Sequence, residues 1–163
     1  MKYKLMICGV VLAAAGPVFA AGDAVKGEAL FKQCQTCHTV MDDTGAVLAG
    51  KGSKTGPNLY GVFGRPAGSL EGFKYGESIA AVGAAGYAWD EAGFVEYVQD
   101  PGAFLKAKLG DTGAKTKMSF KLKGAEKAAD VYAYLAQFSP APAADAAAPA
   151  ADASTTTTTT TNP

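Results

Sequence analysis

Cys34-Gln35-Thr36-Cys37-His38 is the stretch of this 163-residue chain whose residue types and spacing most directly specify chemistry. Two thiols three positions apart fall on one side of a helical turn. Placed so, they can add to the two vinyl groups of one porphyrin and form thioethers, and Cys-x-x-Cys-His is the attachment signature of c-type haem. His38 follows at once, which brings its imidazole under the metal as the proximal ligand. Two other uses of the pair compete. A thioredoxin-like redox pair needs a strand–helix–strand setting, and none surrounds it. A zinc site needs further ligands, and the chain offers only Cys8 and no second histidine.

A haem iron has a sixth position, and the candidates for it can be counted. The single histidine is already used. Of the four methionines, Met1 and Met6 belong to an N-terminal export segment, and Met41 follows His38 too closely to cross to the opposite face of the ring. Met118 remains. Its neighbours Lys115, Lys117, Lys121 and Lys123 form no apolar stripe, which is an unusual setting for a core methionine. A thioether there is a soft ligand that suits reduced iron and raises the reduction potential.

The elements that must position these groups read as helices. Asp23 is a candidate N-cap for a first helix running towards the haem motif, with Ala24, Gly27, Phe31 and Cys34 on one face. Gly27 costs about 1 kcal/mol relative to Ala in mid-helix, and close approach by a second helix would offset that. The partner is a last helix from Gly124 to Phe138, striped with Ala128, Val131, Tyr134, Leu135 and Phe138 and stopped by Pro140. A short helix is expected from Gly76 to Val82. Another runs from Asp90 to Asp100, with Phe94, Tyr97 and Val98 facing one way and Pro101 as its end. From Thr39 to Gly72 the chain is rich in Gly, Ser and Asp and reads as a loop, with turns at Gly56-Pro57 and Gly64-Arg65-Pro66. A loop so long implies that it wraps something. No stretch alternates as a strand, so the fold class is all-α.

The ends of the chain have other uses. Residues 1–20 read as a signal peptide: Lys2 and Lys4, an apolar run from Leu5 to Ala15 too short to span a bilayer, then Val18-Phe19-Ala20. Cleavage falls after Ala20 or Ala21. Residues 139–163, rich in Ala and Pro and closing on seven threonines from Thr155 to Thr161, read as a disordered tail. Residues 21–138 are left as one domain, whose modest core a buried porphyrin would enlarge. The chain has 15 basic and 15 acidic residues, and without Lys2 and Lys4 its net charge is near −2. Charge is unevenly spread. Lys106 to Lys127 contains seven lysines and two acids, a local +5 against −7 elsewhere. A basic region on an acidic molecule implies docking to acidic partners.

With these residues placed, the chain resembles a class I cytochrome c of the larger bacterial cytochrome c2 / cytochrome c550 type. The resemblance rests on Gly22-Asp23, Gly27 and Phe31; on the haem motif; on Thr55-Gly56-Pro57-Asn58-Leu59; and on Gly61 to Arg65. It continues through Gly72-Phe73-Lys74-Tyr75, Trp89, Glu96-Tyr97, Pro101 and Thr116-Lys117-Met118-Ser119-Phe120. It is weak in Met41 to Lys51 and Gly102 to Ala114, both longer than in the mitochondrial relatives.

The resemblance implies the class I cytochrome c fold and further roles. Pro57 would offer its carbonyl to the free ring nitrogen of His38. Tyr97 would hydrogen-bond near the Met118 sulfur. Arg65, Tyr75, Trp89 and Thr116 would surround a haem propionate, and Phe120 would cover the ring near its exposed edge. Lys32, Lys54, Lys115, Lys117, Lys121 and Lys123 would form the docking face. The function implied is that of a soluble, monomeric, periplasmic carrier of single electrons with one haem c. Its donor would be a bc1-type complex or a periplasmic dehydrogenase. Its acceptor would be a cytochrome c oxidase or other terminal oxidase, a nitrogen-oxide reductase or a photosynthetic reaction centre. Neither nucleic acid nor stable membrane insertion enters this reading. The rival is a haem peroxidase or gas-binding cytochrome with a labile sixth ligand, for which the chain has no second histidine to serve as a distal base.

Overall fold

The computed structural model describes residues 22–139. The expected signal peptide and the expected tail beyond Ser139 lie outside the described residues. The chain runs α1 (Ala24–Phe31), β1 (Thr39–Met41), β2 (Val47–Gly50), α2 (Glu77–Ala84), α3 (Glu91–Gln99), α4 (Pro101–Leu109) and α5 (Ala125–Ala136).

Asp23 caps α1 as its residue type suggests: its carboxylate accepts from the backbone N–H groups of Val25 (3.0 Å) and Lys26 (3.2 Å). The Asp23 N–H donates to the Asp130 carboxylate at 2.7 Å, so the start of α1 is bound to α5. The two helices cross at Gly27. A Cβ there would run into the backbone carbonyl of Asp130 and the Cβ of Tyr134, so only glycine permits this approach. Phe31 and Tyr134, both buried, meet just beyond the crossing with ring centroids 5.5 Å apart.

Two features depart from the expectation. The segment after His38 is not all loop: β1 and β2 pair antiparallel, with Thr39 opposite Gly50 and an irregularity after Val40. Only Val40 and Ala49 send apolar side chains inward from this hairpin, while Val47 and Leu48 stand about half exposed, so it carries little of the alternation that marks a strand. The architecture remains helical with this one small sheet among the described residues. The second departure is α4. Pro101 does end α3, and it also begins the next helix as its first residue, where a missing N–H costs nothing. Asp100 stands between the two and accepts from Ala103 N at 3.1 Å.

The buried residues form two clusters. One joins α1, α3, α5 and the hairpin through Phe31, Val40, Phe94, Val98 and Leu135. The other gathers Val62, Val82, Trp89, Phe104 and Leu105 around α2 and α4. Leu59, Phe63 and Tyr97 pack against both. Among the described residues no helix is long and apolar enough to cross a membrane.

Candidate functional site

Between the two clusters lies a largely apolar cavity of about 300 Å³, a size typical of ligand and cofactor sites. Its walls take Phe94, Val98, Val131 and Leu135 from one cluster and Val62 and Trp89 from the other. Cys34, Cys37, His38 and Met118 all line it.

The haem motif forms its own turn after α1. Cys34 N donates to Phe31 O at 2.8 Å, Cys37 N to Cys34 O at 3.0 Å and His38 N to Cys34 O at 2.8 Å. That winding turns both thiols and the imidazole into one space. The thiols are not joined to each other. Burial, with Cys37 beside it, pushes the Cys34 thiol up to about 11. A thiol-exchange pair requires the opposite shift, normally from a helix N-terminus, whereas this pair follows a helix C-terminus.

Nδ1 of His38 lies 2.9 Å from the Pro57 carbonyl oxygen, so the nitrogen at that position carries the proton and Nε2 is left as the donor atom for a metal. Burial holds the imidazole pKa below its ordinary value, and the Pro57 bond opposes that shift without overcoming it. A neutral ring is the form that ligates. Gly56 makes the approach possible, because a Cβ at that position would lie 2.7 Å from Nδ1 and 2.9 Å from Nε2. Asn58 secures the same turn. Its side-chain oxygen accepts from Met41 N at 2.9 Å, and its amide nitrogen donates to Met41 O at 2.6 Å. Sequence reasoning gave Gly56 only a turn and Asn58 only a place in a motif. Their contacts reach 17 or more residues back, and no local signal encodes that.

The residues expected around an anionic group divide. Arg65, Tyr75 and Trp89 line the cavity; Thr116 does not. Arg65 donates from Nη1 to Tyr60 O and from Nη2 to Asn58 O, each at 3.1 Å. Among the described residues no carboxylate pairs with it. Its burial lowers the guanidinium pKa, and Tyr75 opposes this. A guanidinium has five donors, so capacity remains for an anion in the cavity.

Thr116 lies behind the wall and holds the segment that bears Met118: its Oγ1 accepts from Met118 N at 3.1 Å and lies 3.3 Å from Met118 O. Burial pushes the Tyr97 hydroxyl up, and Thr116 opposes that shift. Tyr97 and Met118 line the same cavity. Trp89 stacks on Phe104 of α4 and meets Tyr97 edge to face, with centroids 5.8 and 5.0 Å apart. Phe120, 36% exposed, closes the rim.

The lysine run is not one patch. Lys106 and Lys108 lie in the last turn of α4, with Lys108 over the rings of Tyr87 and Phe104 at 4.8 and 5.2 Å. Lys127 lies on α5. Lys115, Lys117, Lys121 and Lys123 flank Met118 and are exposed. Of these, Lys117 donates to two backbone carbonyls and Lys121 pairs with Asp100 at 2.7 Å. Lys32 and Lys54 are exposed and immediately precede Gln33 and Thr55, two residues of the cavity lining.

A porphyrin fits these walls. Two thiols, a nitrogen donor and a thioether share one apolar cavity, a glycine clears space for the imidazole, and a guanidinium borders the cavity with donors to spare. No protein-family model matches the chain. It is 50% identical to cytochrome c2 of Cereibacter sphaeroides over 145 residues, covering 87% of this chain and all of that protein. It is 48% identical to cytochrome c-550 of Paracoccus versutus over 149 residues, covering 90% and 95%. The crystal structure of cytochrome c2 from Rhodobacter sphaeroides superposes with a TM-score of 0.71 at 55% identity, covering 72% of this chain and 97% of that one. The chain belongs to the cytochrome c2 / c-550 family of class I c-type cytochromes, which are haem-bearing electron-transfer proteins and not enzymes.

Proposed function

We propose that this protein is a periplasmic carrier of single electrons, with His38 and Met118 as the axial ligands of one haem c tethered through Cys34 and Cys37. The observation that supports this most directly is that the imidazole and the thioether line the same cavity as the two thiols. Haem c held there supplies a one-electron ferric–ferrous couple. The chain's own residues do the rest. Pro57 fixes the tautomer and ring plane of His38. Thr116 holds the Met118 segment, and Tyr97 stands in the same cavity wall as Met118. Arg65, Tyr75 and Trp89 provide donors for a propionate, and the apolar walls exclude water. Phe120 covers the rim.

Residues 1–20 direct export and are removed, residues 21–138 form the working domain, and residues 139–163 form a tail outside it. Lys32, Lys54, Lys115 and Lys123 steer the molecule to acidic faces on a bc1-type complex or periplasmic dehydrogenase, and on a terminal oxidase, reductase or reaction centre. Lys117 and Lys121, also part of the expected docking face, make contacts within the molecule as well: Lys117 donates to the Lys74 and Tyr75 carbonyls, and Lys121 pairs with Asp100.

Carbon monoxide tests the ligand pair. The reduced holoprotein should stay low-spin and refractory to the gas at neutral pH. Met118→Ala should bind it readily, with a changed optical spectrum and a lower reduction potential. A wild-type protein that binds the gas at once, or an alanine variant with spectrum and potential unaltered, would overturn this reading and favour the gas-binding rival.

A further inference from the structure

A run of aromatic rings leads from the cavity wall to the surface. Trp89 and Tyr97 line the cavity and meet edge to face, with centroids 5.0 Å apart. Trp89 also meets Tyr87 edge to face at 5.7 Å. Phe104 backs Trp89 at 5.8 Å and Tyr87 at 5.6 Å. Trp89 is buried, whereas Tyr87 is partly exposed and does not line the cavity. Tyr87 is therefore the outer ring of the run, and the chain's single tryptophan is the middle one.

The outer ring has a partner that the others lack. The Tyr87 hydroxyl donates to Asp90 Oδ1 at 3.1 Å, and among the described residues no other tyrosine hydroxyl donates to a carboxylate. Room for this bond is built into α3. A Cβ at Gly93 would collide with the Tyr87 hydroxyl oxygen, so glycine there admits the phenol to Asp90. Burial, with Asp90 beside it, pushes the phenol pKa up, so the ring keeps its proton at neutral pH. Lys108 Nζ stands 4.8 Å from the ring centroid. A cation over the ring opposes positive charge on it, so an electron leaves most readily when the proton leaves with it. A carboxylate within hydrogen-bond reach is placed to take that proton.

We propose that Tyr87 and Asp90 form a redox site that protects the cavity wall from one-electron oxidants: Tyr87 returns an electron to oxidised Trp89, and Asp90 accepts the phenolic proton. The oxidant removes one electron from Trp89 and leaves an indole radical cation. Tyr87 then supplies one electron as its O–H bond breaks. The products are neutral Trp89, a Tyr87 phenoxyl radical and protonated Asp90. The exchange is favourable because the phenol releases its proton to a base in the same step. It carries the oxidising equivalent away from the cavity to a ring that a small reductant can reach. The site requires no assignment of the ligands at the iron.

The test is transient absorption and freeze-quench paramagnetic resonance of the ferric holoprotein. A flash generates a ruthenium(III) polypyridine complex, an oxidant that takes one electron and no proton. Trp89 is the only source of an indole radical in the chain outside the export segment and tail, which contain no tryptophan. In wild type that radical should give way to a phenoxyl radical at a rate independent of oxidant concentration. Tyr87→Phe keeps the ring and removes the hydroxyl, so the phenoxyl signal should be lost and the indole radical should persist. Asp90→Asn keeps a side chain able to cap α3 and removes the base. Transfer should then slow about tenfold, less than the usual worth of a positioned base because water replaces it at this exposed position. Neither side chain lines the cavity, so the haem spectrum checks that both variants are folded. A phenoxyl radical that forms as fast in Tyr87→Phe as in wild type overturns the site, since another tyrosine then supplies the electron. Equal rates in wild type and Asp90→Asn overturn the transfer of the proton to Asp90.

Discussion

At Gly56 the backbone passes where any side chain would press on the His38 ring. Gly56→Ala places a methyl group against Nδ1 and Nε2. Either the imidazole tilts or the turn through Pro57 retreats, and both loosen the bond at Nδ1. The expected outcome is a holoprotein destabilised by about 1–3 kcal/mol, the usual cost of overpacking, with a shifted reduction potential. Denaturant titration and potentiometry measure the two effects. A variant altered in neither would mean that the ring has slack that the distances deny. Residue identity alone singled out four residues that the fold brings to one cavity, since Cys34, Cys37 and His38 are adjacent and Met118 follows by elimination. The supporting groups were less visible. Gly56 and Asn58 act on residues met only after folding, and the bond from Thr116 to the Met118 backbone has no signal in the sequence.

Helix α1 depends on α5 more than on its own propensity. It has eight residues, a length at which an isolated helix is marginal in water. Gly27→Ala should make the balance explicit. The substitution gains about 1 kcal/mol of helix propensity. It also drives a Cβ into the Asp130 carbonyl, where overpacking costs about 1–3 kcal/mol. The clash is with backbone that cannot rotate away, so the loss should win and the unfolding midpoint should fall. A midpoint that rises would mean that α5 can retreat without cost.

The stripes of α1, α3 and α5 were legible because burial on one face imposes a period. The hairpin was not, since only two of its apolar side chains are buried and an Asp-rich turn interrupts it. Helix α4 was hidden by reading Pro101 only as a terminator. A proline that stops one helix is equally suited to open the next.

Across the whole molecule, charge supplies direction. The lysines flanking Met118 are exposed, in a chain whose other regions carry an acidic surplus, and charge so distributed acts at a distance before any contact forms. Electron transfer with an acidic partner should therefore slow as ionic strength rises, because the Debye length shrinks from about 30 Å at 0.01 M salt to about 8 Å at physiological strength. Lys115→Gln and Lys123→Gln should flatten that dependence, since each removes one exposed positive charge beside Met118. Stopped-flow rates across a salt series give the comparison, and an unchanged dependence in both variants would refute the steering. The sequence-level charge count located the surplus but not its division among α4, the Met118 segment and α5, which only the turns between them determine.

The hairpin tip at Thr44-Gly45 stands in solvent, while α1, on its amino-terminal side, grips α5 through Asp23, Gly27 and Phe31. The peptide bond at that tip is thus dispensable to the packing. Two separate polypeptides, one bearing both thiols and the imidazole and the other bearing the thioether, would recognise each other along the α1–α5 seam and rebuild the same pocket as a heterodimer.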